Sequence, residues 1–286
     1  MGSGTDEDPL LCERDGDVEI LSFNIPKRLN PLTEGLQQAL RARLAQLREE
    51  AEAGTVRALV LTGVGKSFCV GADLSSMGPA GGSDGGGGSL GQRTASAMEA
   101  LSNRLIEDLR GMPFPVVNAV NGPAAGAGVG VALAADVVIA ARSAYFYLPF
   151  MPRLGIVPDL GTTWFLERLV GRARAVGMSL LGERLPAEQA AQWGLVWACV
   201  DDAELRAQAV SVARRLASLP AHAAREIRAV YESAASQPLV AQMSHEAARQ
   251  RELLDRPEFA EGVKAFMEKR EPVFRRNAAG AGPRSP

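Results

Sequence analysis

Short apolar segments alternate with segments of helical periodicity along most of this chain. Four segments have the composition of buried strands, namely residues 18–23, 56–62, 116–120 and 137–141. A helix over residues 33–53 is predicted from the spacing of leucines at positions 36, 40, 44 and 47. A further helix is expected over about residues 94–110. Strands that alternate with helices are typical of a layered α/β architecture, so the sequence predicts that fold class.

Changes in composition divide the 286 residues into four parts. We expect a flexible N-terminus at residues 1–14, an α/β core at 15–200, a helical segment at 201–275 and a disordered tail at 276–286. Residues 78–91 contain eight glycines in 14 positions. Such a stretch is costly to order, which indicates either a solvated surface loop or a mobile flap beside a pocket.

Charge and composition exclude several classes of partner. The chain has 31 Lys and Arg against 33 Asp and Glu, so its formal net charge is −2 and it offers no broad cationic face to nucleic acid. Its most apolar stretch, residues 122–135, is shorter than the roughly 20 residues of a membrane span. Three separated cysteines and two histidines favour neither a disulfide scaffold nor a metal site, and we expect a cytoplasmic protein.

Two segments place small residues directly after a predicted strand. The first runs from Ser67 to Leu74 and the second from Asn121 to Gly128. Helix starts expose backbone N–H groups, and small side chains let a ligand oxygen approach them. Two such groups that converge would form an oxyanion hole. Tight helix packing explains the same glycines and alanines, so the residues alone leave both interpretations open.

Six motifs in order give the chain a specific resemblance. They are NIPKRLNPL (24–32), VRALVLTGVGKSFCVGADL (56–74), PVVNAVNGPAAGAGVGVALAADVVIA (115–140), LGIVPDLGTTWFLERLVG (154–171), RLPAEQAAQWGLV (184–196) and EGVKAFMEKREPVF (261–274). Over about residues 15–275 the chain resembles the crotonase, or enoyl-CoA hydratase/isomerase, family. The resemblance implies a crotonase-type spiral of ββα units. Its helical C-terminal segment would drive assembly into a homotrimer or a dimer of trimers.

The resemblance also implies the substrate and the residues that bind it. Members bind an acyl-CoA thioester, so coenzyme A is part of the substrate and no separate cofactor or metal is expected. The N–H groups of Ala72 and Ala127 would polarise the thioester carbonyl, and the helix that opens near Gly126 would add its positive end. Further positions match residues that line the CoA channel (Lys27, Leu29, Val70, Asp73 and Leu74) or contact the adenine end, often from a neighbouring subunit (Phe266 and Lys269).

The chain lacks the two glutamates with which hydratases of this family activate water. The first would fall at Gly130 and the second near Pro149 and Phe150. The aromatic residues at 145, 146, 147 and 150 either line an acyl pocket or belong to the core.

One acid remains in this region, Asp159, at the position where double-bond isomerases of the family carry theirs. Apolar neighbours would raise its pKa by desolvation, which suits a proton carrier. The competing interpretation is that Asp159 caps the helix that follows. We expect an acyl-CoA isomerase, with hydration, decarboxylation, thioester hydrolysis or acyl-CoA binding without chemistry as alternatives.

Overall fold

A six-stranded sheet is the centre of the computed structural model, which describes residues 8–73 and 88–274. Its strands, in spatial order, are β1 (Leu10–Asp15), β2 (Val18–Phe23), β3 (Ala58–Gly63), β4 (Val116–Val120), β6 (Val137–Ala141) and β9 (Ala198–Val200). Strand β1 is antiparallel to β2, and every other pair is parallel. All side chains of β2 and β4 are buried, as expected for strands covered on both faces.

A second sheet and ten helices complete the described chain. The sheet joins β5 (Ala124–Ala125), β7 (Tyr145–Tyr147) and β8 (Leu185–Pro186). The helices are α1 (Glu34–Glu52), α2 (Leu90–Ala97), α3 (Asn103–Arg110), α4 (Ala127–Leu133), α5 (Thr162–Leu181), α6 (Ala187–Gln192), α7 (Leu205–Ala217), α8 (Ala223–Ala234), α9 (Leu239–Leu254) and α10 (Pro257–Glu268). Together they confirm the predicted α/β class with a helical C-terminal part. Among the described residues, no helix is both long and apolar enough to cross a bilayer.

The prediction of a flexible N-terminus at residues 1–14 is wrong for residues 10–14, which lie in strand β1. Only Leu10 of this strand is fully buried, so the segment shows none of the alternation that marks a half-buried strand. Main-chain pairing with β2 holds the strand at the edge of the sheet. Residues 1–7, most of the glycine-rich stretch at 78–91 (residues 78–87) and the tail at 276–286 lie outside the described residues.

Two helices have bounds that differ from those predicted. The helix expected from residue 94 begins at Leu90, because Ser89 and Gln92 form a capping box, and a π-helical turn at Met98–Ser102 joins α2 to α3. The run of alanines and glycines that follows Pro123 predicts a helix from residue 124, but this helix begins only at Ala127. Ala124 and Ala125 instead pair with β7, so α4 is a helix of seven residues.

The boundary between core and C-terminal segment also moves. Helix α7 packs on β2, β3, β4 and β6, so it belongs to the core rather than to a segment that starts at residue 201. Helices α8 and α9 pack on each other, and α10 packs on α9. Arg228 of α8 links these helices to the residues just before β4 and β6. Its guanidinium forms an ion pair with Asp136 and donates hydrogen bonds to three carbonyl oxygens, those of Arg110, Met112 and Phe114.

Replacing Arg228 is predicted to destabilise the chain strongly. Arg228→Met removes the ion-pair partner of Asp136 and the guanidinium donor of three carbonyl oxygens, and the Arg228 side chain is only 10% exposed. We expect the free energy of unfolding to fall by about 3 kcal/mol, measured by denaturant unfolding at fixed protein concentration. Arg225→Met on the same helix is the control, because Arg225 is exposed. An equal fall in the free energy of unfolding in the two variants would show that the contacts of the Arg228 guanidinium add no stability.

Candidate active site

The two segments singled out for their small residues lie side by side. Cys69 and Ala124 form a parallel β-bridge. The N–H of Cys69 donates to the carbonyl oxygen of Pro123 at 3.2 Å, and the N–H of Ala125 donates to that of Cys69 at 2.9 Å. The N–H of Gly126, at the turn that leads into α4, donates to the carbonyl oxygen of Tyr147 at 2.9 Å and holds this turn in place. The backbone around residue 72 is therefore held against the start of α4.

Glycines allow the two main chains to touch. A β-carbon placed at Gly71 would lie 2.7 Å from the carbonyl oxygen of Ala125 and 2.8 Å from the backbone nitrogen of Ala127. A β-carbon at Gly128 would lie 2.2 Å from the carbonyl oxygen of Cys69. Gly71 also has a φ of +84°, a conformation that favours glycine. No other residue fits either position without displacing the neighbouring backbone.

This contact brings together the two predicted donors, the N–H groups of Ala72 and Ala127. Neither donates a hydrogen bond to any residue in the described ranges 8–73 and 88–274. Ala127 is the first residue of α4, so its N–H is one of those that a helix leaves unsatisfied. Ala72 follows Gly71 directly, and Gly71 closely approaches the nitrogen of Ala127. Two free donors on adjacent main chains can bind one carbonyl oxygen.

Asp159 carries a buried oxygen without a partner. Its Oδ1 atom is shielded from solvent and has no hydrogen-bond partner among the described residues. Burial raises the pKa of Asp159 to about 6. With this pKa, the carboxyl of Asp159 can take up and release a proton near neutral pH.

No group of three or more His, Cys, Asp or Glu in the described part of the chain could hold a metal ion.

The structure does not support a capping role for the Asp159 side chain. The N-cap of α5 is Gly161, and no side chain caps this helix. The N–H of Thr162 instead donates to the main-chain oxygen of Asp159 at 2.9 Å. A tight turn explains this arrangement, because Leu160 and Gly161 have φ values of +48° and +73°. The turn satisfies the helix start with a backbone oxygen, and Oδ1 of Asp159 keeps no partner among the described residues.

The same turn packs directly on α4. A β-carbon placed at Gly130 would lie 2.5 Å from the carbonyl oxygen of Leu160 and 3.0 Å from Oγ1 of Thr162. Gly130 lies three residues after Ala127, less than one helical turn from the predicted donor. The backbone next to Asp159 thus occupies the space into which a side chain at position 130 would project. The family resemblance places the first glutamate of hydratases at this same position, Gly130.

An aromatic ring takes the place of the second glutamate. Phe150 begins a π-helical turn, Phe150–Leu154, and its side chain is 5% exposed. Its Cζ atom lies 3.9 Å from the β-carbon position of Gly126, and the carbonyl oxygen of Val70 lies 3.8 Å from the same point. Phe150 thus lies beside the turn at Gly126 and is buried like Phe146, whereas the tyrosines at 145 and 147 are half-buried.

The residues predicted to line the CoA channel lie around the first donor segment. Lys27 and Leu29 are exposed at a 3₁₀ turn, Pro26–Arg28, and Val70 is half-buried. Asp73 forms an ion pair with Arg28, which ties that turn to the donor segment. Leu74 lies outside the described residues. How these residues contact a ligand stays a prediction.

Sequence reasoning missed Asn30, which is fully buried beside this turn. Its Nδ2 atom donates to the carbonyl oxygens of Val64 at 3.0 Å and Ser67 at 2.8 Å. Its Oδ1 atom accepts from the N–H of Ile25 at 2.9 Å. A positive φ at Leu29 and Asn30 shapes the same turn. The only signal in the sequence was an asparagine between two prolines, which indicates a loop but not its partners.

Phe266 and Lys269 lie with the C-terminal helices. Phe266 is 83% exposed, and Lys269 ends α10 with a φ of 54°. Phe266 borders a cavity of about 440 Å³ whose lining comes from residues 220–274 alone. Their predicted contact with the adenine end, in this or a neighbouring subunit, stays a prediction, as does the trimer or hexamer.

Comparison with known proteins gives the site a context. The family profile for enoyl-CoA hydratase/isomerase matches residues 13–277. The 1,2-epoxyphenylacetyl-CoA isomerase of Escherichia coli K12 is 40% identical over 93% of this chain and 97% of its own. A probable enoyl-CoA hydratase of Rhodobacter capsulatus is 41% identical over 90% and 94%. The crystal structure of an enoyl-CoA hydratase from Polaromonas sp. JS666 superposes with a TM-score of 0.83 at 30% identity, covering 93% of this chain and 99% of its own. The predicted crotonase-type fold is confirmed.

A methyl group at position 130 is predicted to be costly. Gly130→Ala should lower the free energy of unfolding by about 2 kcal/mol or more, because the added carbon meets the carbonyl oxygen of Leu160. Gly177→Ala is the matched control, since Gly177 is also helical and has open space around it. That variant should gain about 0.5 kcal/mol. Denaturant unfolding of both variants checks the prediction, and a harmless Gly130→Ala would contradict the packing described here.

The raised pKa of Asp159 predicts a pH-dependent stability. In the folded chain the carboxyl stays neutral up to about pH 6, whereas in the unfolded chain it ionises near pH 3.8. Ionisation of Asp159 therefore lowers the stability of the wild type as pH rises from about 4 to above 6, and this contribution is absent from Asp159→Asn. We expect the difference in unfolding free energy, variant minus wild type, to grow by up to about 3 kcal/mol over this range. A difference that stays constant from pH 4 to 8 would show that the pKa is not raised.

Proposed function

Because the chain belongs to the enoyl-CoA hydratase/isomerase family, we propose that it shifts the double bond of an unsaturated acyl-CoA with Asp159 as its single proton carrier. The observation that carries this proposal is the buried, unpartnered Oδ1 of Asp159 on a turn packed against α4. The free N–H of Ala127 begins the same helix. The acid and one of the two predicted donors thus lie on a turn and a helix that pack on each other.

The reaction needs only groups that the chain supplies. The N–H groups of Ala72 and Ala127 donate to the thioester oxygen of a 3-enoyl-CoA. The carboxylate of Asp159 removes a proton from C2, and the electron pair spreads over C2, C4 and the thioester oxygen as a dienolate held by the two donors. Asp159 then returns the proton to C4, so the double bond moves from C3–C4 to C2–C3. No water is consumed and the atoms balance.

Hydration is the alternative, and two features of the site disfavour it. Adding water calls for groups that position and activate it, and the two places expected for them hold no carboxylate. Gly130 has no side chain and faces the backbone of Leu160, while Phe150 brings an apolar ring next to Gly126. The named isomerase among the relatives supports proton transfer, whereas the relatives named as hydratases make hydration the outcome to test.

The pKa of Asp159 suits a group that takes and returns the same proton. At about 6, it leaves most of the carboxyl ionised at neutral pH, ready to act as the base. A carboxyl with the ordinary pKa of 3.8 would be a weaker base by about two orders of magnitude in proton affinity. Desolvation by the protein provides this gain without a second charged residue.

Asp159→Asn is predicted to abolish the reaction while leaving binding intact. We expect kcat for conversion of a 3-enoyl-CoA to the conjugated 2-enoyl-CoA to fall at least about 100-fold. The conjugated thioester is followed by its absorbance, and deuterium incorporation at C4 in D₂O reports the proton return. In the wild type, kcat/KM should rise with pH through about 6, because the base must be ionised.

The control for this experiment is Glu167→Gln, which removes an exposed carboxylate from α5. Its activity should match that of the wild type. Equal activity in Asp159→Asn would remove Asp159 from the mechanism. A 3-hydroxyacyl-CoA as the main product, detected by mass spectrometry, would show that the chain is a hydratase.

A further inference from the structure

Helix α4 carries one of the two predicted donors on only seven residues. Ala127 begins the helix, and all of its residues are buried. The backbone of Cys69 lies against Gly128 on one side, and that of Leu160 lies against Gly130 on another. Contacts at the sides of a helix restrain a shift along its axis less than bonds at its end do. Such a shift would carry the N–H of Ala127 with it.

The far end of α4 is held by a side chain of the central sheet. Nδ2 of Asn118 donates to the carbonyl oxygens of Val131 at 2.8 Å and Ala132 at 2.9 Å. Both belong to the last turn of α4, whose carbonyl oxygens have no partner within the helix. The N–H of Ala134 reaches only one of them, that of Val131, at 3.3 Å. Asn118 thus supplies donors that the end of the helix lacks.

The position of Asn118 is itself fixed by the sheet. Asn118 is fully buried in β4, between Leu61 of β3 and Val138 of β6. It is the only polar residue of this strand. Its Oδ1 atom has no hydrogen-bond partner among the described residues, which is unfavourable for a buried polar atom. The two bonds that Asn118 donates are therefore what an apolar residue of the same size would lack.

We propose that Asn118 is a positioning residue that sets the place of the Ala127 N–H by holding the opposite end of α4. The proposal deepens the proposed function and rests on its assignment of this N–H to the thioester oxygen. Ala127 and Ala132 are five residues apart, which is about 8 Å along a helix. A displacement of about 1 Å can cost about 100-fold in rate. Asn118 therefore acts on the reaction without touching the substrate.

Binding of the ligand's carbonyl oxygen reports this role. A thioester offers that oxygen to the N–H groups of Ala72 and Ala127, whereas a thioether of the same chain length has no acceptor there. The ratio of the two affinities therefore measures the contribution of the carbonyl oxygen. A general loss of stability, or of contacts with coenzyme A, would change both affinities together and leave their ratio unchanged.

The test measures binding of octanoyl-CoA and the thioether S-octyl-CoA to the full-length protein by isothermal titration calorimetry. Neither ligand has a double bond that the proposed isomerisation could shift. In the wild type, we expect octanoyl-CoA to bind about tenfold more tightly, as two hydrogen bonds of ordinary net strength would give. In Asn118→Leu, which removes the amide at similar volume, this ratio should fall to about twofold, with the affinity for S-octyl-CoA little changed.

Two controls separate this role from a loss of stability and from the proposed reaction. Leu47 is fully buried in α1, which packs on β1 and α3, so Leu47→Ala lowers stability at a site away from α4. This variant should keep the wild-type ratio. Asp159→Asn should keep it too, because binding involves no proton transfer. Asn118→Val, whose β-branched side chain suits a strand, replaces Asn118→Leu if that variant fails to fold.

Each outcome has a separate meaning. A ratio that keeps its wild-type value in the Asn118 variant, or that falls equally in Leu47→Ala, overturns the role of Asn118. A wild-type ratio near one shows that the N–H groups do not bind the carbonyl oxygen, and the proposed function then fails together with this inference. If the ratio behaves as expected but a 3-enoyl-CoA is not isomerised, the proposed reaction fails and the role of Asn118 stands.

Discussion

Main-chain contact between two turns is the constraint on which the site depends. The turn at residues 69–72 and the start of α4 approach so closely that glycine is required at positions 71 and 128. Hydrogen bonds between Cys69 and its neighbours, Pro123 and Ala125, hold the pair together. Because the donors are backbone N–H groups, their positions follow from the packing of the chain and not from side-chain rotamers. The positions of the donors therefore belong to the folded chain itself and do not depend on a bound ligand.

The position of Asp159 also depends on the packing of α4, through the turn at Leu160. Helix α4 presents Gly130 to the turn at Leu160, so the turn can settle directly on the helix backbone. The left-handed conformation of Leu160, at a φ of +48°, is uncommon for a residue with a side chain and is stabilised by burial of that side chain. This strained turn holds the carboxyl of Asp159 where water solvates it only in part. This partial loss of solvation raises the pKa of Asp159.

Much of the fold and part of the site could be predicted from sequence, for physical reasons that differ between elements. The leucines of α1 and the apolar runs of β3 and β4 repeat with the period of their elements, so local pattern suffices. Strand β1 is an exposed edge defined by pairing with β2, and a single strand carries little trace of its partner. The backbone donors were found through resemblance to a family, because Ala72 and Ala127 have no chemical signature of their own.

The role of the Asp159 side chain could not be predicted locally. An aspartate just before a predicted helix is ordinarily interpreted as its cap, but the left-handed turn at Leu160 and Gly161 places Asp159 three residues before Thr162, where α5 begins. Sequence likewise did not decide whether Phe150 was core or pocket, since an aromatic residue suits both. The distance from its ring to Gly126 depends on pairing between strands that are 20 residues apart.

The contacts of Arg228 bear on whether helices α8 to α10 can be separated from the rest of the chain. Every residue assigned to the reaction lies before position 160, and α8 to α10 add none of them. Yet the guanidinium of Arg228 in α8 supplies the donors for carbonyl oxygens of the turn before β4 and for Asp136. Asp136 also accepts from the N–H of Val116, the first residue of β4. Cutting the chain after α7 would strand these acceptors at the end of a central strand. The part of the chain before α8 and the C-terminal helices are therefore expected to fold as one unit.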